Sequence, residues 1–180
     1  GHLYERKGIP TILDTAAMMP SCDFILVGGW EEDVEAARET CAARNLRNVR
    51  MTGHIPQTGL KDYFYAADVL ILPTMDHPDH TLMGSQLKLF EYMASRRPFV
   101  ASALPTVKTV VRDGVNALLA EPGDAASFRN AIEKLIHDPG LGERLSGQAY
   151  KDVQYHTWDN RAERILDFAE KMLSISKYER

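Results

Sequence analysis

Val69-Leu70-Ile71-Leu72-Pro73-Thr74, followed by Gly84-Ser85-Gln86-Leu87-Lys88-Leu89-Phe90-Glu91-Tyr92-Met93-Ala94 and then Phe99-Val100-Ala101-Ser102, is the stretch that decides the fold. Its first and last parts, Val69–Leu72 and Phe99–Ser102, are short and nearly continuous in apolar residues, as strands covered on both faces are. The middle part changes period. Leu87, Phe90 and Ala94 mark one face of a helix, Leu89 and Met93 flank that face, and Lys88, Glu91 and Ser95 lie on another. Strand, helix, strand at this spacing is the unit that builds a parallel sheet.

The same alternation extends in both directions. Strands are predicted at Asp23–Val27, Asn48–Thr52, Val69–Leu72, Phe99–Ser102 and Ala117–Ala120. Helices are predicted near Gly8–Met18, Glu31–Arg44, Gly59–Ala66, Gln86–Ser95 and Thr106–Arg112, followed by Ala125–His137, Leu141–Val153 and Trp158–Leu173. The expected class is α/β: a doubly wound, Rossmann-like parallel sheet in one domain spanning residues 1–180, with helices on both faces. No linker, repeat or low-complexity stretch divides it. A doubly wound domain normally opens with a strand, whereas residues 1–8 read as a loop leading into a helix. The strand feeding that loop is expected upstream, making the chain part of something longer; a helix-first domain is the alternative.

Composition narrows the classes. Of 180 residues 44% are hydrophobic and 26% charged, with a net charge of −4, as in ordinary globular chains. No Lys/Arg-rich run suggests a nucleic-acid partner. No apolar run approaches the ~20 residues of a membrane span, and no charged-then-apolar leader is read at the start. Cys22 and Cys41 fit no metal or redox spacing and read as two free, buried thiols in a reducing compartment.

In an open parallel sheet ligands sit beyond the carboxyl ends of the strands. That selects loops 1–8, 28–31, 53–59, 73–86, 102–106 and 121–124. Ser85 is a suitable N-cap for a helix starting near Gln86. The free N–H groups of that helix end, with Gly84 permitting close approach and Thr74 in the preceding loop, suit a phosphate. Glu91 lies ~9 Å further along the helix, where its carboxylate can accept from two ribose hydroxyls. A surface Lys88–Glu91 pair at i,i+3 explains the same spacing. Lys7, at the mouth of the sheet, can neutralise a departing diphosphate; a solvated lysine in Glu5-Arg6-Lys7 is the commoner fate.

Val27-Gly28-Gly29-Trp30-Glu31 lacks the spacing of a dinucleotide fingerprint, but Gly28 and Gly29 suit a close-approach turn near a ligand. Gly53-His54-Ile55-Pro56 puts backbone groups and an apolar side chain where a base can lie, although His54 is more often a loop histidine than a catalyst. Asp76-His77-Pro78-Asp79-His80 fits no standard metal site and reads better as a polar loop touching a sugar. No Ser/His/Asp arrangement, P-loop or cysteine-nucleophile context is present. Trp158, after Thr157 as a cap, is expected to pack in the core.

Taken in order, Gly1-His2-Leu3 with Lys7-Gly8, Ile25-Leu26-Val27-Gly28, Thr52-Gly53-His54-Ile55, Ala67-Asp68-Val69-Leu70-Ile71-Leu72-Pro73, Leu87-Lys88-Leu89-Phe90-Glu91-Tyr92-Met93-Ala94, Arg97-Pro98-Phe99-Val100-Ala101-Ser102, Asp113-Gly114 and Pro122-Gly123-Asp124 resemble the C-terminal domain of the retaining glycosyltransferases called family 4, or group 1. The likeness covers Gly1 to about Trp158. It implies two Rossmann-like domains in a GT-B architecture, with the active site between them and this chain as the half that binds a nucleotide-diphospho-sugar. By resemblance, a lysine at the place of Lys7 contacts the donor diphosphate and a glutamate at the place of Glu91 holds the ribose hydroxyls. Backbone N–H groups of Ser85, Gln86 and Leu87 meet phosphate or sugar, and Gly53 to Ile55 lie near the base.

The chain departs from the family in two places. Many members have arginine where this one has His2, a weaker and pH-dependent phosphate partner, and an acidic residue where it has Met83. The expected site is therefore Lys7 and His2 at the leaving group, with Gly28, Gly53, His54, Ile55, Thr74, Gly84, Ser85, Gln86, Leu87, Lys88 and Glu91 around the donor, and neither metal nor cofactor. Expected partners are the nucleotide-sugar donor, an acceptor (saccharide, lipid-linked saccharide or small molecule) and an N-terminal domain; nucleic acid is not among them. The expected location is the cytoplasm, or peripherally the inner membrane face. A non-catalytic nucleotide-binding or assembly module, and a sugar-nucleotide epimerase of the same architecture, are the rival readings. The last helix carries Leu166, Ala169 and Leu173 at helical spacing and, by resemblance, returns towards the N-terminal domain.

Overall fold

The computed structural model describes residues 3–76 and 87–178, with side chains through residue 173. A 3-10 turn over Glu5–Lys7 leads into α1 (Ile9–Met18), β1 (Phe24–Leu26), α2 (Glu31–Ala43), β2 (Val49–Met51), α3 (Gln57–Ala66) and β3 (Leu70–Leu72). Then follow α4 (Leu87–Ala94), β4 (Phe99–Ser102), α5 (Pro105–Lys108), β5 (Leu118–Ala120), α6 (Ala125–His137), α7 (Pro139–Val153) and α8 (Trp158–Tyr178).

Local chemistry sets the helix starts. Asp124 accepts from the Ala126 and Ser127 N–H groups at 2.9 and 3.1 Å and so caps α6. Asp138 accepts from Leu141 N–H at 2.9 Å, and Pro139 supplies the preset φ of the first turn of α7. Thr157 accepts from Asn160 N–H at 3.2 Å, the cap expected for α8. Helix α5 is shorter than the predicted Thr106–Arg112: Arg112 N–H donates to the Asn116 side-chain oxygen at 2.8 Å, which takes a donor the helix would need to continue. Helix α3 starts two residues before the predicted Gly59.

Among the described residues every pair of strands is parallel. β1 pairs with β2 in the register Phe24↔Val49, Ile25↔Arg50, Leu26↔Met51. β4 lies between β3 and β5, with Leu70↔Phe99 and Val100↔Leu118 fixing the two registers. The doubly wound expectation holds for β3–β4–β5. Val100 points into a core shared with Phe24, Leu26, Ile12, Leu13 and Phe128. Its neighbours Phe99 and Ala101 point into a second core with Leu72, Leu89, Met93, Val107 and Ala149. Opposite faces of one strand thus feed two apolar layers, and all four β4 residues are buried.

Among the described residues the parallel strands form a two-stranded and a three-stranded group, with no described strand pairing β1 with β3. Four expectations need correction. One face of β1–β2 is open: Ile25 is 54% exposed and Arg50 beside it is exposed too. Trp158 is 70% exposed, not a core residue; α8 extends beyond both cores, and the Arg161 guanidinium lies over the Trp158 ring at 5.7 Å instead. In α4 the buried face is Leu89 and Met93, while Leu87 and Ala94 are exposed; the helix presents that pair to β3 and α7. Cys41 is buried, but Cys22 only half-buried. Among the described residues no helix is long and apolar enough to cross a membrane.

Candidate functional site

The N-terminal turn is locked to the carboxyl end of β3. Gly8 has φ +79, and a Cβ built there would lie 1.8 Å from the Pro73 carbonyl oxygen, so only glycine fits. Two residues earlier, the Arg6 carbonyl accepts from Met75 N–H at 3.1 Å. Lys7 lies between these two contacts and is half-buried at the rim of the sheet.

Lys7 does not sit there comfortably as a cation. Burial, then the charges of Arg6 and Lys88, hold its ammonium below its ordinary 10.5. The Lys88 charge, the smallest of the three causes, acts on Lys7 from a helix 81 positions further along the chain.

Glu91 lies three residues beyond Lys88 on α4. No Lys88–Glu91 ion pair forms among the described residues. Instead, one Glu91 carboxylate oxygen is buried with no hydrogen-bond partner among the described residues. Asp33 and Ser102 also carry such an oxygen, but Glu91 shares its helix with Lys88, whose charge acts on Lys7. Burial, with the Glu91 charge beside it, pushes the Tyr92 hydroxyl up to about 12. Tyr92 stays protonated and donates to the Ile71 carbonyl at 3.4 Å, tying α4 to β3.

The other half of the rim lies beyond β1 and β2. Gly28 N–H donates to the Gly53 carbonyl at 3.0 Å in an antiparallel bridge, and the Thr52 hydroxyl donates to the same oxygen at 2.9 Å. Gly28, Gly29 and Gly53 all have positive φ, at 108, 96 and 70°. A Cβ on Gly29 would meet Leu3 at 2.8 Å, so the N-terminal segment also touches the end of β1. Past the bridge the Trp30 and His54 rings are parallel within 8°, with centroids 6.5 Å apart.

Gly28 is buried, Gly53 and Ile55 are half-buried, and His54 is exposed. Thr74 is only 3% exposed and sits beneath the rim, which places a buried threonine where an open donor contact was expected. Leu87 opens the described part of α4 and is exposed. His2, Gly84, Ser85 and Gln86, together with Gly1, His77, Asp79, His80 and Met83, lie outside the described residues. Two surface clefts, one lined by Asp14, Met18, Arg44 and Asp124 and one by Val115, Arg144 and Lys151, contain none of the expected donor residues. Sequence reasoning does not single out Trp30; an aromatic directly after the two glycines that follow β1 is the available signal.

The profile of the family described as Glycosyl transferases group 1 matches residues 1–138. The lipopolysaccharide core biosynthesis glycosyltransferase LpsE of Rhizobium meliloti (strain 1021) is 27% identical over 153 residues, covering 85% of this chain and 43% of that protein. Among solved structures, sucrose-phosphate synthase from Thermosynechococcus elongatus has a TM-score of 0.81 at 27% identity, over 97% of this chain and 44% of its own. Anabaena HepE in complex with UDP has a TM-score of 0.78 at 20% identity, over 97% of this chain and 47% of its own, a likeness of fold. The chain thus spans less than half the length of each of these relatives.

Proposed function

Since the chain belongs to the group 1 glycosyl transferases, we propose that it is the donor-binding, C-terminal part of an enzyme that transfers a sugar from a nucleotide-diphospho-sugar with retention of anomeric configuration. The observation that carries the proposal is the Glu91 oxygen, buried without a partner among the described residues, one helical turn from Lys88, whose charge acts on Lys7. A buried carboxylate oxygen without a partner costs free energy. A ribose with two hydroxyls relieves that cost, and a diphosphate suits the like charges of Lys7 and Lys88.

The chemistry follows from the charges. As the bond from sugar to diphosphate breaks, negative charge grows on the departing oxygen. Lys7 and Lys88 stand ready to receive it, without reorganising, at a rim where burial already weakens competition from water. Glu91 orients the nucleoside, and Gly53 to Ile55 lie alongside its base. His2 and the Gly84–Gln86 segment belong to the same proposal. No resident metal or cofactor enters it. HepE was solved with UDP and with UDP-glucose, which supports a uridine-type donor among the candidates.

The proposal extends to the rest of the enzyme. A further strand between β1 and β3, running into Leu3, would join the two strand groups. A preceding acceptor domain would bring a saccharide, lipid-linked saccharide or small-molecule acceptor to the rim. The enzyme would work in the cytoplasm or at the inner membrane face.

Calorimetry with UDP, GDP and ADP tests the donor site. Weak binding of at least one, lost or reduced at least tenfold in Glu91→Ala, is expected. Failure of all three to bind refutes the donor-site reading. Retention is tested on the full-length enzyme by determining the anomeric configuration of its product.

A further inference from the structure

We propose that Met75 is a modification site, where a peroxide converts the thioether to the sulfoxide and so lowers affinity for the donor; the second half of this inference rests on the donor-site reading above. Three segments of the rim meet on this residue. Its N–H donates to the Arg6 carbonyl, next to Lys7, at 3.1 Å. Its sulfur accepts from the Thr11 hydroxyl of α1 at 3.5 Å. Its terminal methyl takes the space that a side chain at position 123 would need, since a Cβ on Gly123 would lie 3.2 Å from that methyl and 3.8 Å from the sulfur. Gly123 directly precedes Asp124, the cap of α6. One thioether thus joins the lysine-bearing turn, α1 and the loop after β5.

Met75 stands apart from the other described methionines. Met19 and Met93 are buried, and Met18 and Met172 are exposed on helix surfaces away from the rim contacts. Met51 lies on β2 against the first core. Met75 is half-buried, which leaves it open to a molecule as small as hydrogen peroxide while its side chain still carries packing.

The step is a two-electron oxygen transfer. A lone pair on the Met75 sulfur attacks one peroxide oxygen, the O–O bond breaks and an S–O bond forms. The proton of the transferred oxygen passes to the departing one, which leaves as water; sulfur is oxidised and the peroxide reduced. The product is a polar group in place of a flexible apolar one. Its new oxygen is a far better acceptor than the thioether sulfur, and it costs free energy where it stays buried without a donor. The Thr11 hydroxyl and water both draw it away from Gly123. The Met75 backbone holds the Arg6 carbonyl, so the turn carrying Lys7 moves with it. A displacement of about an ångström costs up to a hundredfold where groups must be aligned.

The experiment treats the 180-residue chain with hydrogen peroxide, then with dithiothreitol to reverse thiol oxidation at Cys22 and Cys41. Peptide mass spectrometry reads the sulfoxide at each methionine, and calorimetry reads affinity for UDP, GDP and ADP. Nucleotide affinity is expected to fall at least tenfold, in step with Met75 sulfoxide and not with that of Met18 or Met172. Methionine sulfoxide reductases should restore it. Met75→Leu, whatever its starting affinity, should keep that affinity through the same treatment. Full oxidation of Met75 with affinity unchanged, an equal loss in Met75→Leu, or a Met75 that stays reduced while Met18 and Met172 oxidise overturns the inference and leaves the donor site standing. No binding of any nucleoside diphosphate to the untreated chain overturns both.

Discussion

Replacing Gly8 with alanine tests whether the lysine-bearing turn is held by contact with β3. Two costs apply. An L-residue at φ +79 is strained by about 1–2 kcal/mol. The new Cβ would also lie 1.8 Å from the Pro73 carbonyl oxygen, where real contacts stay beyond 3.0 Å, so the turn must move by more than an ångström. Overpacking of that kind costs a further ~1–3 kcal/mol. Gly53 isolates the first cost: its φ is +70, but an added Cβ meets nothing within 4 Å. Gly53→Ala should thus lose about 1–2 kcal/mol and Gly8→Ala about 2–5, with ~2–4 °C of melting temperature per kcal/mol at this chain length. The two variants also differ in function. An ångström of displacement can cost a hundredfold where charges must be aligned, so Gly8→Ala should lose nucleotide affinity well beyond Gly53→Ala. Thermal unfolding and calorimetry measure both effects. Equal destabilisation by the two substitutions, with equal residual affinity, refutes the idea that contact with Pro73 positions Lys7.

Glu91→Gln should leave the unfolding temperature unchanged or raise it, since a buried oxygen without a partner among the described residues contributes desolvation and no protein hydrogen bond, while nucleotide affinity falls about tenfold or more; a stability loss above ~2 kcal/mol would assign Glu91 a structural role instead. Lys7 is held below 10.5, and a diphosphate favours its charged form, so nucleotide affinity should decline as pH rises through the lowered value, and Lys7→Met should flatten that alkaline limb in a calorimetric pH series. Stability responds with the opposite sign: between the lowered value and 10.5 the unfolded chain binds more protons, so folding gains from rising pH there, a slope that Lys7→Met removes. Asn116 is 1% exposed, accepts from Arg112 N–H, and donates to the Val110 carbonyl and to Asp152 at 3.2 and 2.8 Å; Asn116→Ala should cost about 2–4 kcal/mol in denaturant unfolding. Although burial raises it, Asp152 is held below its ordinary value by its bonds to Asn116 and Gln148 and by Arg112, so it lends stability above the unfolded carboxyl range that is lost as pH falls through its lowered value; Asn116→Ala should shift that loss to higher pH, read by an NMR titration of Asp152.

The strand–helix alternation was legible because it rests on apolar periodicity, and every predicted strand contains an observed one. Residues whose placement depends on distant partners were not. Trp158 reads as core by its size, yet no described element covers α8. Leu87 and Ala94 share a helical face with Phe90, but the face that meets β3 is set by the orientation of α4 on the sheet, and it carries Leu89 and Met93. At the site, the candidacy of Lys7 and Glu91 could be read from spacing and resemblance. The half-burial of Lys7 could not, because it depends on the turn that Gly8 presses against Pro73. The pairing of Trp30 with His54 was equally hidden, since it depends on a bridge between two glycines 25 positions apart.

β4 carries a consequence for how far this chain can vary. Its residues serve the two cores alternately, with Phe99 and Ala101 on one side and Val100 on the other. Sliding the strand by a single position against β3 and β5 would send the Phe99 ring into space shaped for a valine and swap the contents of both layers. Deletions or insertions between Arg97 and Ser102 should therefore be far less tolerable than changes in the loops at the rim, and the strand acts as the keel against which donor-facing loops can diversify.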